Sequence, residues 1–309
     1  MKNNMKRIGA LLAAAALTVS ALTGCGSTKE ASQQKKDTFV IAYAPNESTE
    51  ESADAREGLA KDLEQELGVK VEEIQASDYN AIIEALRTGK ADAAYIGALA
   101  IAYASERAEA VPVAMKAPDG DKAKAVYHSL LITSSKNDDI NSIEDIKGRS
   151  IAFVDPESTS GNLFPMYDII KAFPDENLTS DDLHTNGKFF SSTSYSGKHQ
   201  AGLQAVIKGD VDVVPISDQI LASEIENGNA NEEDVKIIHT SDAIPAEGFV
   251  VSKTVSDDVK NKFQKFLIGY DNSDYFEKVI KVPNARFVEA TIDDYQIVIG
   301  LNKTMNTEL

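Results

Sequence analysis

Ser150-Ile151-Ala152-Phe153-Val154-Asp155-Pro156-Glu157-Ser158-Thr159-Ser160-Gly161 is the stretch that decides how this chain is read. The β-branched and aromatic run Ser150–Val154 predicts a strand, and Asp155-Pro156 predicts a turn. Ser/Thr followed by apolar periodicity then predicts a helix from Asn162 to about Phe173. A strand, a turn and a helix start in succession make a cradle for an anion. The first N–H groups of a helix lack intrahelical partners and sit at the positive end of its dipole, so they hold phosphate-like groups without a cationic side chain. Ser158, Thr159 and Ser160 add three rotatable O–H donors, and Gly161 allows close approach of the backbone. By itself the same pattern also fits an ordinary capped helix.

Outward from the cradle, strand and helix patterns alternate. Toward the N-terminus they run as strand Phe39–Tyr43, loop Pro45–Ser48, helix Arg56–Leu67 ending at Gly68, and the alternating strand Val69–Ile74. Helix Tyr79–Thr88 follows, opened by Ser77-Asp78 and ended by Gly89, then strand Ala91–Gly97, helix Leu99–Arg107 and strand Val111–Ala114. The second half repeats the order: strand Tyr127–Thr133, a helical turn at Ser142–Ile146, the cradle, and the apolar run Lys188-Phe189-Phe190. Helix His199–Lys208 closed by Gly209, strand Val211–Val214, helix Asp218–Glu226 and the run Val235–Ile238 complete it. The tail from Ser256 reads as three helical blocks, near Asp257–Ile268, Ser273–Ile280 and Ile292–Asn302. This order predicts an α/β fold of two similar units, each a mainly parallel sheet with helices on both faces.

Composition narrows the function. The chain has 309 residues, 42% hydrophobic and 26% charged, which suits one large or two ordinary domains. Its formal charge of −18 repels nucleic acid and anionic lipid, so neither is an expected partner, and an anionic ligand has to be held by local donors. Cys25 is the only cysteine, which excludes an internal disulfide and any cysteine cluster for a metal. It follows Lys2, Lys6, Arg7 and the apolar Ile8–Ala21, in the run Leu22-Thr23-Gly24-Cys25, which resembles a bacterial lipobox. Residues 1–24 are therefore expected to be a lipoprotein signal peptide, Cys25 the lipidated residue, and 25–37, rich in Ser, Lys, Glu and Gln, a flexible tether.

Six motifs in order carry a further resemblance: Ala76-Ser77-Asp78-Tyr79, Gly89–Gly97, Tyr127-His128-Ser129-Leu130, Asp155–Gly161, Ser196-Gly197-Lys198-His199, and Ile244-Pro245-Ala246-Glu247. The chain resembles, from Phe39 to Phe287, the phosphonate, phosphite and phosphate binding proteins that serve ABC importers. The paired segments Gly89-Lys90-Ala91-Asp92 and Gly209-Asp210-Val211-Asp212 are similar to a unit found in each lobe of importer binding proteins. The resemblance implies a two-lobe periplasmic-binding-protein fold of type II, with 38–126 and 248–309 in lobe 1, 127–247 in lobe 2, and the ligand cleft between them. It implies that Ser158, Thr159, Ser160 and His199 donate to a phosphoryl group, that Tyr79 and Tyr127 line the cleft, and that Glu247 and Asp218, or Gln219 beside it, face the rest of the ligand. The expected protein is a monomer without cofactor or metal. It would be anchored by lipid to the outer face of a bacterial membrane and pass a small phosphorus oxyanion to a permease.

Two other readings use the same residues. A ligand-sensing ectodomain would present the same cleft to a receptor. A hydrolase would need Ser158 or Ser160, His199 and Asp212 or Asp218 as a triad, but no Gly-x-Ser-x-Gly elbow is present, and no catalytic activity is expected.

Overall fold

The computed structural model of the chain describes residues 37–306; the signal-peptide and lipidation assignments, Cys25 included, and the tether up to residue 36 lie outside them. The chain begins with β1 (Thr38–Tyr43), α1 (Ala53–Leu67), β2 (Lys70–Gln75), α2 (Tyr79–Thr88), β3 (Ala93–Ile96), α3 (Ala98–Ala108) and β4 (Val111–Pro118). It crosses through β5 (Val126–Tyr127) into β6 (Ser129–Ser134), β7 (Ser150–Phe153), α4 (Phe164–Ala172), α5 (Ser180–His184), β8 (Ser192–Tyr195), α6 (His199–Lys208), β9 (Val213–Ser217), α7 (Asp218–Glu226) and β10 (Val235–Thr240). It returns through β11 (Ile244–Pro245) to β12 (Gly248–Val251), α8 (Asp257–Gly269), α9 (Ser273–Lys278), β13 (Ala285–Glu289) and α10 (Gln296–Asn306).

Two sheets result, one in each lobe: β13-β4-β12-β3-β1-β2 and β10-β6-β9-β7-β8. The crossing strands β5 and β11 pair antiparallel with each other, so both passages between lobes run side by side. The parallel pairing that strand–helix alternation predicts holds for β1 with β2 and β3, and for β7 with β8 and β9. It does not hold where β12 pairs with β3 and β4, β13 with β4, or β6 with β9 and β10, so each sheet is mixed. Among these, β6 and β12 are the strands delivered by the crossings, which enter each sheet against the direction set by its βαβ units.

The alternation in β1 shows how the first sheet is covered on both sides. Phe39, Ile41 and Tyr43 face an aromatic cluster with Phe249, Phe263, Phe276 and Phe287, while Ala42 faces Ile82, Ile83, Leu86 and Leu99 of α2 and α3. Gly68, Gly89 and Gly209 close α1, α2 and α6 in the left-handed conformation, as the sequence pattern predicts. The aspartates of the paired Gly-x-x-Asp segments act as strand clamps. Asp92 Oδ2 accepts Val40 N–H at 2.9 Å, and Asp212 Oδ2 accepts Ser150 N–H at 2.8 Å, each holding a strand of its lobe in register.

The structure settles one apolar run and changes two local expectations. Phe189 and Phe190 form no strand: with rings 4.9 Å apart and Phe189 4.8 Å from Phe173, they fill the core from a turn, and the polar run Ser192–Tyr195 supplies the edge strand beside β7. The tail contains β13, because Ala285 and Phe287 are buried along the edge of the first sheet while Arg286 and Val288 are less so; a helical reading passed over this short alternation. The strand expected at Tyr127–Thr133 is interrupted at His128, where the chain passes from the crossing ribbon into the second sheet.

Candidate functional site

Seven of the eight expected ligand-binding residues line one void between the lobes: Tyr79, Tyr127, Ser158, Thr159, Ser160, His199 and Glu247. It has room inside for about one water-sized group, and neither Lys nor Arg is in its wall.

The cradle is built by a widened turn. Thr159–Leu163 form one π turn ahead of α4, with Leu163 N–H donating to Ser158 O at 3.1 Å, and the whole segment is buried. Gly161 is required here on steric grounds: a Cβ would lie 2.4 Å from Val154 Cβ. Two of the three hydroxyls accept an N–H, which leaves their own protons available to a ligand. Ser158 Oγ accepts Gly161 N–H at 3.0 Å, and Thr159 Oγ1 accepts Leu99 N–H at 2.9 Å from α3 in the other lobe. Ser160 Oγ lies 3.3 Å from His199 Nε2. Closing the lobes therefore aligns Thr159 as a donor.

His199 opens α6 and is buried, and burial depresses its pKa to about 4, so the ring is neutral at physiological pH. The His199 backbone N–H donates to Asn46 Oδ1 at 3.0 Å, and Asn46 Nδ2 donates to Tyr79 Oη. Asn46 thus ties the lobes together and leaves the Tyr79 phenol proton free. The Tyr127 phenol faces the Thr159 and Ser160 hydroxyls; burial raises the pKa of both tyrosines well above the ordinary value, keeping them protonated donors. Glu247 is buried, with Lys116 Nζ 2.5 Å away behind it.

Residues 41–295 match the family described as ABC transporter, phosphonate, periplasmic substrate-binding protein. The chain belongs to this family. A Mycolicibacterium smegmatis relative named phosphate-import protein PhnD is 27% identical over 275 residues, covering 88% of this chain and 84% of that one. An Escherichia coli relative named phosphonates-binding periplasmic protein is 32% identical over 215 residues, covering 68% of this chain and 59% of that one. The crystal structure of a binding protein component of an ABC phosphonate transporter from Pseudomonas aeruginosa matches with a TM-score of 0.75 at 26% identity, covering 87% of this chain and 86% of that chain. Proteins of this periplasmic substrate-binding family are transport-associated binding proteins, not enzymes, and act outside the cytoplasm.

Asp218 is not part of the cleft wall. It opens α7, where Oδ1 accepts Gln219 N–H at 2.8 Å and Oδ2 lies 3.3 Å from His128 Nδ1. This removes it from a triad as well; Asp212 is bound to Ser150, and among the described residues no carboxylate hydrogen-bonds His199. Gln219 also lies outside the wall, with its Oε1 buried and unpartnered.

Ala44, Asn46, Glu47 and Gly97 complete the wall, and the sequence reading did not select them. One signal was available: Ala44–Glu47 and Gly97 follow the carboxyl ends of β1 and β3, the edge of an open α/β sheet where ligands bind.

Proposed function

We propose that this family member captures a small phosphorus oxyanion, such as a phosphonate, phosphite or phosphate, in the interlobe cleft and delivers it to an ABC permease. In this reading residues 38–126 and 248–309 form lobe 1 and 127–247 lobe 2, and the protein is a monomer anchored through Cys25. The observation that carries the reading is the convergence of Ser158, Thr159, Ser160, His199, Tyr79 and Tyr127 on one void, where the Ser158, Thr159 and Tyr79 hydroxyls each accept an N–H and so keep their own proton to donate.

Such a wall suits a tetrahedral oxyanion. A carboxylate-rich chain of net charge −18 disfavours any anion at long range. Neutral donors held by the fold overcome this locally, because a hydrogen bond to a charged acceptor is worth about 1.5–3 kcal/mol. Donors come from both lobes, so the ligand stabilises the closed state by contacts the open state lacks. The relatives differ in the ligand their names carry, phosphate in one and phosphonates in the other. Calorimetric titration with phosphate, phosphite, methylphosphonate and aminoethylphosphonate tests the reading. Saturable one-to-one binding of at least one of them is expected, and no heat from any of the four would refute it.

A further inference from the structure

Glu47 puts a second carboxyl into the cleft, and the fold holds it there. Its N–H donates to Ala44 O at 3.1 Å, and its carbonyl accepts from Ser52 Oγ at 2.6 Å and from Arg56 Nη1 at 2.9 Å. Arg56 is buried, donates also to Thr49 O at 3.0 Å, and is itself oriented by Glu73 at 2.9 Å. With its main chain pinned in this way, Glu47 joins the wall of the void, and its Oε2 is buried without a hydrogen-bond partner.

The charges around it decide its state. Glu247, Lys116 and Lys281 act on Glu47, and the Tyr79 and Tyr95 phenols feel its charge. Lys116 is already matched with Glu247 at 2.5 Å, so it offsets the burial of another carboxylate only in part. Burial and the Glu247 charge, against partial lowering by Lys116 and Lys281, push the Glu47 pKa up to about 8.

We propose that Glu47 is a specificity-determining residue of the cleft, which enters it as a carboxylic acid and donates that proton to a phosphorus-bound oxygen, selecting small oxyanions that carry no amine. The proposal rests on the reading of the cleft as an oxyanion site. The ligand then meets an uncharged donor, Glu47, from lobe 1 and, at the end of lobe 2, a carboxylate, Glu247, that is paired with Lys116. A ligand oxygen is welcome beside that donor. An ammonium is not: it would lie near Lys116 and find only one uncompensated carboxyl, which must first lose its proton.

The test is titration of the purified full chain, wild type, Glu47→Gln and Glu47→Ala, with methylphosphonate and aminoethylphosphonate from pH 7 to 9.5. If binding requires the acid form, apparent affinity follows its population, which falls roughly thirtyfold over this range for a group with a pKa of about 8. Wild-type affinity for methylphosphonate is expected to drop by that factor. Glu47→Gln keeps a donor at every pH and should bind within a few-fold of wild type at pH 7 while losing most of the decline. Glu47→Ala should be at least tenfold weaker at pH 7 and equally flat. Aminoethylphosphonate should bind wild type at least tenfold less tightly than methylphosphonate. Parallel pH profiles in all three proteins, or equal affinity for the two ligands, would overturn the proposal. Absence of binding by the wild type to any phosphorus oxyanion would instead overturn the reading of the cleft.

Discussion

Replacing Thr159 with Val changes one atom group at the point where the two lobes meet. Val keeps the shape and volume of Thr and removes the hydroxyl. In the closed state Thr159 Oγ1 accepts Leu99 N–H at 2.9 Å across the lobes, and its proton is left for the ligand. The variant therefore loses a hydrogen bond to a charged ligand, about 1.5–3 kcal/mol, and leaves a buried N–H unpaired, about 1–3 kcal/mol. Central values of the two sum to roughly 4 kcal/mol, or about 10³-fold in affinity at 1.4 kcal/mol per decade. An open cleft exposes Leu99 N–H to water, so the ligand-free protein should keep its melting temperature within a degree or two. Thr159→Ser, which retains both bonds, should stay within a few-fold of wild type. Titration calorimetry with the best of the four oxyanions, paired with thermal unfolding, measures both quantities. Wild-type affinity in Thr159→Val would show that the hydroxyl serves only the lobe contact. Equal losses of affinity and ligand-free stability would show that it serves the core.

Other outcomes follow from the same geometry. Gly161→Ala places a methyl 2.4 Å from Val154 and 2.7 Å from Ser158 Oγ, so it should displace the cradle and weaken binding more than tenfold; unaltered affinity would refute the steric argument. Asp218→Asn should leave affinity within twofold, since the side chain faces His128, and a tenfold loss would return it to the site. His199 has a folded pKa of about 4, below its ordinary 6.5, so its contribution to stability is complete above 6.5 and is lost as pH falls from 6.5 to 4. Urea midpoints of wild type and His199→Gln should therefore diverge over that window, by roughly 3 kcal/mol at its acid end, and parallel curves would contradict a buried neutral ring. Cys25→Ser should abolish incorporation of labelled fatty acid while leaving ligand affinity unchanged; retained labelling would refute the anchor assignment.

Much of this molecule is legible in the order of its residues because local rules govern those parts. Glycine stops at Gly68, Gly89 and Gly209 require a left-handed residue whatever surrounds them, and the strand–turn–helix order of the cradle follows from Phe153, Pro156 and the Ser/Thr run. The resemblance likewise brought Tyr79, Tyr127, His199 and Glu247 to the cleft before any coordinate did. What the tertiary structure alone decided lies in pairings between distant segments. Nothing local to Glu247 announces Lys116, which β4 delivers to it from 131 residues away through the register of β12 on β4. Nothing local to Glu47 marks it among 49 acidic residues; only the Arg56 anchor and the wall of the void set it apart. Hydropathy marks Phe189 and Phe190 only as an apolar run, because burial and strand formation share a signature, and packing against Phe173 shows that burial is the cause. The chain's own pattern determines which groups can donate to an oxyanion. The meeting of the two lobes determines the charge those donors work against, because burial and neighbouring charges, not residue type, set the protonation of a carboxyl.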